Sequence, residues 1–273
     1  DQAAVIARER IVQTVFSPDY AEQLSRACVA ADVDVCVHIK LDTGMNRIGL
    51  ASETGQIVEQ IQAICRLPRL IPEGIFSHLS SADEADEEGK RYTRLQLERY
   101  QRVLAELEAH NLHFSCRHLQ NSAGIAFLPG LHYDYARAGI VLYGVAPSDV
   151  PLPFPLKPVM ELKTVVSMVK EIPAGSAVSY GRRFVSEHPM RLATVPIGYA
   201  DGYPRLLSNK GEMLVHGQRA RVLGNICMDQ LMLDVSGIEG VSMGDTVTVV
   251  GEDGGDRITF DELAAKIGTI SYE

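Results

Sequence analysis

The chain changes rhythm near its middle. Ahead of a proline-rich stretch, 146–158, strand-like and helix-like segments alternate; behind it, short strands and turns succeed one another with a single helix. In the first half, runs rich in Val, Ile and Leu at 11–16, 33–41, 70–78, 114–119 and 138–143 read as strands, and helical spacing marks 19–31, 54–67, 83–111 and 122–127. The helix at 83–111 is acidic at its start (Glu84, Asp86, Glu87, Glu88), as the helix dipole favours, and carries the apolar stripe Leu97, Tyr100, Val103, Leu104, Leu107. Such alternation predicts a parallel sheet. A closed barrel has eight strand–helix units of about 30 residues each. About five fit here, so residues 1–156 read as the C-terminal portion of a (β/α)8 barrel of TIM type, with roughly 90 residues expected before Asp1. Residues 157–273 read as a mostly β domain, with strands at 159–169, 190–197, 212–215, 220–223, 231–235 and 245–250. A turn at 253–256 precedes a helix at 261–267, for which Thr259 is the candidate N-cap. The fold class is thus α/β, an incomplete barrel followed by a β domain.

Composition narrows the function. With 46% hydrophobic residues, 22% charged residues and 273 positions, the chain is long enough for two cores. A net charge of −9 argues against a nucleic-acid partner. No apolar run approaches the ~18 residues of a membrane span. The start, Asp1-Gln2-Ala3, shows neither a signal-peptide pattern nor an initiator Met, so the chain reads as having lost its beginning. Five scattered cysteines without CxxC spacing read as reduced thiols of a cytoplasmic protein. The histidines form no HExxH-like cluster, so no catalytic metal is expected.

Polar residues crowd the C-terminal ends of the first-half strands: Lys40, Asp42, His78, Ser80, Asn121, Ser122 and Gly144. Ligand sites of parallel α/β folds lie at that edge. In Lys40-x-Asp-x-Gly-x-x-Arg47, the two cations can receive a carboxylate or phosphate, or the segment is a solvated loop with a glycine turn. Residues 118–124 pass from a strand into a helix, and Asn121-Ser122 either receives an anion or serves as an N-cap. In Arg137-Ala138-Gly139-Ile140, the glycine permits close backbone approach and the arginine could face a ring nitrogen. Tyr180 lies in a turn-like Ser-Tyr-Gly, Tyr199 and Tyr203 flank Ala200-Asp201-Gly202, and Tyr272 almost ends the chain; taken singly, each reads more readily as a core or interface tyrosine.

Together these segments resemble bacterial alanine racemase, a fold-type III enzyme dependent on pyridoxal phosphate. The likeness runs through nearly the whole chain in motif order: His38–Gly49, Ser77-His78, Asn121–Gly124, Arg137–Gly144, Val178–Gly181, Pro196–Gly202, Ile226–Gln230 and Thr269–Tyr272. It implies a barrel that holds the cofactor, and a head-to-tail homodimer whose sites pair one subunit's barrel with the other's β domain. It further implies that Asn121, Ser122, Gly139, Ile140 and Tyr272 bind phosphate, with Arg137 facing the pyridine nitrogen and His78 stacked near the ring. Tyr180 is the implied base, and Arg47 and the Met228 backbone the grip on the substrate carboxylate. Lys40 matches a position that is often carbamylated, while Tyr199, Asp83 and Arg205 match the substrate approach. The chain departs from the family in three places. The early Lys-Ala-Asx-Ala-Tyr-Gly motif bearing the cofactor lysine is absent, Asn225 stands where many members carry arginine, and the chain stops just past Tyr272. The chain alone is therefore expected to be inactive.

The chemistry suits these residue types. Racemisation removes the Cα proton on one face and returns one on the other, so two bases suffice. A tyrosine acting near neutrality needs about 4 kcal/mol of differential stabilisation of its phenolate, which neighbouring cations can supply. Alternatives are a racemase for another small amino acid such as serine, a related-fold decarboxylase, which would have no use for Tyr180 on a second face, and a non-catalytic binding or dimerisation module.

Overall fold

The computed structural model describes residues 2–53 and 55–273, which form two compact units, one of residues up to 142 with 146–156, the other of 143–145 with 157–273. In the first unit, β1 (Gln13–Val15), β2 (Val35–Asp42), β3 (Leu50–Ala51), β4 (Leu70–Phe76) and β5 (Cys116–His118) alternate with α1 (Ala3–Arg8), α2 (Pro18–Ala31), α3 (Ile57–Cys65), α4 (Glu87–Ala109) and α5 (Ser122–Phe127). The strands run parallel in the order β1-β2-β4-β5, with β3 also on β2. Val15, Val37, Ile39, Leu41, Ile75, Ile61 and Tyr100 fill the core between sheet and helices. Local signals set the helix limits. Ser17 accepts the Tyr20 N–H at 3.2 Å and Pro18 follows it at the first helical position, while Asp32 ends α2 with φ 53°.

Two expectations for this unit are corrected. The helix placed at 83–111 starts at Glu87, because Asp86 accepts the Gly89 N–H at 2.7 Å and so takes the cap; Glu84 lies outside the first turn. The strand placed at 138–143 is a 3-10 turn, Ile140–Tyr143. Its approach is not laddered: Gly139 N–H donates to the Ser122 side chain at 2.9 Å, and the sheet contact is one isolated bridge between His118 and Tyr135. The expected first residue of the 54–67 helix, Thr54, lies outside the described residues; the helix observed is Ile57–Cys65.

The second unit contains β6 (Leu162–Val165), β7 (Met168–Ile172), β8 (Ala177–Val178), β9 (Phe184–Val185), β10 (Met190–Val195), β11 (Glu212–Val215), β12 (Gln218–Leu223), β13 (Leu231–Asp234), β14 (Thr246–Asp253), β15 (Asp256–Ile258) and α6 (Phe260–Ile267). Its antiparallel sheet runs β15-β14-β11-β12-β13-β10-β7, with β6 on β14. The single strand expected at 159–169 is two, because the chain changes partner there: Val166 N–H bonds Asp245 O and Ser167 N–H bonds Thr194 O. The β8–β9 hairpin was not anticipated, since two-residue strands carry no periodicity. Thr259 caps α6 by accepting the Glu262 N–H at 3.0 Å. No described helix is long and apolar enough to cross a membrane.

Candidate active site

Strand register assembles the first cluster. Lys40 pairs with Phe76 and Phe76 with His118, so β2, β4 and β5 present these three at one level. One level below, His38 pairs with Gly74 and Gly74 with Cys116. Gly74 is required there, because a Cβ would stand 2.6 Å from the His38 ring. His38 and Lys40, two residues apart, share a face of β2.

Arg137 ties this cluster together. One of its terminal nitrogens donates to Ser77 O (2.8 Å), Leu119 O (3.0 Å) and His78 Nδ1 (3.2 Å), and the other to His118 Nδ1 (2.5 Å). Its guanidinium also lies over the Phe76 ring, 5.2 Å from the centroid. An arginine only donates, so His118 Nδ1 accepts and His118 carries its proton on Nε2. That Nε2 lies 2.9 Å from His38 Nδ1, which therefore accepts in turn. The result is a hydrogen-bond chain Arg137 to His118 to His38. It also bears on metal binding, since His38, Cys116 and His118 bring ligand atoms within 4.8 Å of one another. Sequence spacing gave no sign of this group, and the chain already occupies both His118 nitrogens.

The electrostatics follow from burial beside cations. Lys40 is 4% exposed and donates to Leu41 O at 2.8 Å. Burial, reinforced by Arg137 and Arg47 and opposed by Asp42, brings its amine down to about 8. Burial first, then Arg137, Lys40 and Arg47, holds His78 down at about 4. Burial first, then Arg137, His38 and Lys40, holds His118 down at about 3. Arg47 itself is exposed on the loop after β2. That loop is fixed by Asp42, whose carboxylate accepts the Gly44 and Asn46 N–H groups, by Tyr92 donating to Gly44 O at 2.6 Å, and by Arg99 donating to Thr43 O.

The anion-binding candidates adjoin one another. Asn121 caps α5 by accepting the Gly124 N–H at 2.9 Å, so the N-cap reading of this residue holds. Ser122 Oγ accepts from Gly139 N–H, which leaves its hydroxyl hydrogen to donate. A Cβ on Gly139 would sit 3.4 Å from Ser122 Oγ. Ile140 opens the 3-10 turn that follows. Asp83 lies apart, lining a separate cavity with Ala82, Thr93 and Phe127.

In the second unit, three motif segments converge. Tyr199 N–H bonds Cys227 O at 3.1 Å and Ala200 N–H bonds Met228 O at 2.9 Å. Asn225 Nδ2 donates to Tyr180 O at 2.7 Å. Tyr180, Tyr199 and Met228 are all exposed, and the Met228 N–H has no partner among the described residues. Arg205 is exposed on the neighbouring 3-10 turn Arg205–Leu207, and Tyr272 is exposed near the chain end. Tyr203 is instead buried, its hydroxyl without a partner. Reading from sequence missed His38, Phe76, Ser77 and His118 as parts of the site. The period-two relation of His38 to Lys40 was the available signal.

Comparison with known proteins matches the alanine racemase N-terminal domain over residues 1–147 and the alanine racemase C-terminal domain over residues 159–273. Alanine racemase 1 of Clostridium acetobutylicum is 44% identical over 270 residues, covering 98% of this chain and 69% of that protein. The alanine racemase structure from Clostridium difficile 630 superposes with TM-score 0.92 at 33% identity, covering 99% of this chain and 69% of its own. A histidine racemase from Leuconostoc mesenteroides subsp. sake superposes with TM-score 0.86 at 29% identity, covering 99% and 71%.

Proposed function

The chain belongs to the alanine racemase family, and we propose that its residues serve the pyridoxal-phosphate-dependent interconversion of L- and D-alanine within a homodimer. The observation that carries this reading is the convergence of Arg137, His78, Lys40 and Ser122 at the C-terminal strand ends, with cationic groups set among buried neutral ones. These residues fit the cofactor. Three of the five Arg137 N–H groups are engaged by protein acceptors, which leaves donors for a ring nitrogen. The Ser122 hydroxyl, with Gly139 bare beside it, suits a phosphate oxygen.

When bound, pyridoxal phosphate withdraws electrons from the substrate's Cα and makes its proton removable. Arg137 would face the ring nitrogen as a hydrogen-bond donor and keep its proton, because guanidinium does not ionise at working pH. His78, held neutral beside Arg137, would lie against the ring. Ser122, Gly139 and Ile140 would hold the phosphate, with Asn121 fixing the start of α5; Tyr272 is assigned to it by the family resemblance alone. Arg47 and the Met228 N–H hold the substrate carboxylate. Lys40, buried and with a lowered amine, is suited to react with carbon dioxide: the amine lone pair attacks the carbon, a proton leaves nitrogen, and the carbamate anion formed orients Arg47. The Tyr180 phenolic oxygen takes or returns the Cα proton on one face. Tyr199 and Arg205, both exposed, would line the substrate's approach, whereas Asp83 lines its own cavity and has no part in it. The exposure of Tyr180, Tyr199, Met228 and Tyr272 supports a head-to-tail dimer in which each β domain completes the partner's barrel site.

The test is interconversion by the intact enzyme of L- and D-alanine, followed by chiral separation, with serine as competitor. Ser122→Ala should weaken cofactor binding, and Arg137→Leu should weaken it and change the bound cofactor's absorbance. No alanine interconversion with cofactor present would overturn the reading.

A further inference from the structure

Tyr180 stands on an unusual stretch of backbone. Between β8 and β9 the chain passes through Ser179 (φ 64°, ψ −177°), Gly181 (φ 70°) and Arg182 (φ 52°). The Ser179 angles fall in a region nearly reserved for glycine, and such conformations persist only where the surroundings over-determine them. The Tyr180 side chain is 72% exposed. Its direction is therefore inherited from this backbone rather than imposed by packing around the ring.

The surroundings that hold the backbone are two asparagines. The Ser179 hydroxyl donates to the carbonyl oxygen of Asn225, and Asn225 Nδ2 donates to the carbonyl oxygen of Tyr180 at 2.7 Å. Asn225 thus bonds both residues that decide where the phenol points. The preceding residue, Gly224, lets the two segments approach, since a Cβ there would meet Val178 O at 2.6 Å. On the far side, Asn209 accepts the Gly224 N–H at 2.6 Å through Oδ1 and donates to Arg183 O at 3.4 Å through Nδ2. The turn is bracketed before and after Tyr180.

We propose that Asn225 is a positioning residue for the reaction: its side-chain amide locks the Tyr180 peptide and so aims the phenolic oxygen. The proposal rests on the reading of Tyr180 as the proton-transfer group.

The test uses the intact, cofactor-loaded enzyme carrying 3-fluorotyrosine, with the Tyr180 fluorine line assigned by its loss in Tyr180→Phe. Asn225→Asp keeps the shape and removes the donor; Asn225→Ala removes it without adding charge. In both, amide exchange over residues 179–183 should quicken about tenfold, the equivalent of one lost hydrogen bond in the local opening equilibrium. The Tyr180 fluorine line should shift or sharpen, while exchange in the β10–β13 pair stays as in the parent. Asn225→Gln, which keeps the amide, should restore part of the slow exchange. In kinetics, kcat should fall with KM nearly unchanged. Unaltered exchange and an unaltered fluorine line in both variants would overturn the proposal. So would loss of protection throughout the β domain, which would make Asn225 a general structural residue. A loosened turn with undiminished kcat would also overturn the proposal, since the clamp would then do nothing for the reaction, whereas full activity in Tyr180→Phe would instead refute Tyr180 as the base.

Discussion

The candidate residues fall into two groups, one in each unit, built on opposite principles. In the first unit, Lys40, His78, His118 and Arg137 are buried or half-buried and displaced from their ordinary ionisation, all by burial and the first three also by neighbouring cations; Arg137 bonds both histidines, while Lys40 bonds Leu41 O. In the second, Tyr180, Tyr199, Met228 and Tyr272 are exposed, and order resides in the main chain that carries them. The barrel-type half tunes its groups by environment; the β half aims its groups by backbone. A group that must meet another surface can be held only from behind, which is what the Asn225 and Asn209 bonds do.

The sharpest way to break this contrast is Tyr180→Phe in the intact enzyme. The ring and its backbone remain, so cofactor binding and melting temperature should be unchanged. Activity should fall by roughly 10²–10⁴, the usual worth of a positioned proton-transfer group. If the exposed half completes a partner's site, Tyr180→Phe mixed with a variant lacking the cofactor lysine should regain activity after subunit exchange. At equal mixing about half the dimers are mixed, so recovery should approach about a quarter of the wild-type sites. Demonstrated exchange without recovery would confine Tyr180 to its own subunit.

The two halves also differed in how far the sequence disclosed them. The alternating segments gave the parallel sheet because burial on both faces leaves long Val/Ile runs, and the change at 146–158 marked the turn to β structure. Lys40, Asp42, His78 and Ser122 were readable because strand ends are where a parallel sheet is open to a ligand. The Arg137–His118–His38 chain was not, because it depends on the register of β2, β4 and β5, which no single segment encodes. The 138–143 segment misled because its apolar run looks like a strand, while a side chain, Ser122, takes the Gly139 N–H. The β8–β9 turn was hidden for a different reason: its shape is imposed by bonds from residues 209 and 225, far along the chain.

A second test probes the buried half by acid. Unfolded, an imidazole takes up a proton near its ordinary 6.5; folded, His78 does so at about 4 and His118 at about 3. Below pH 6.5 the unfolded chain therefore gains protons that the fold refuses. The stability present above that pH is lost as pH falls toward the folded values, by an amount on the order of 3 kcal/mol per histidine. Melting temperature should decline steeply between pH 6.5 and 4. In His118→Gln, whose amide can accept from Arg137 and donate to His38, that decline should be shallower. An equal slope in both proteins would show that the histidine chain is not the acid-sensitive element.

Lys40 offers the smallest effect and the finest discrimination. A lysine solvated at a strand end would titrate normally and do nothing when removed; this one is buried beside Arg137 and Arg47 and ionises at about 8. Only the neutral amine can attack carbon dioxide, so any carbamate should increase as pH rises through about 8 and diminish on removal of bicarbonate. If a carbamate on Lys40 orients Arg47, Lys40→Ala should remove one charge-assisted bond, which corresponds to about tenfold to a hundredfold in turnover. Acetate, filling the vacated space with a carboxylate, should restore part of it, whereas chloride should restore less, having no paired oxygens for a guanidinium. Equal kinetics in Lys40→Ala with and without acetate would leave Arg47 oriented by its loop alone. The β half's principle of aiming by backbone would then extend into the barrel as well.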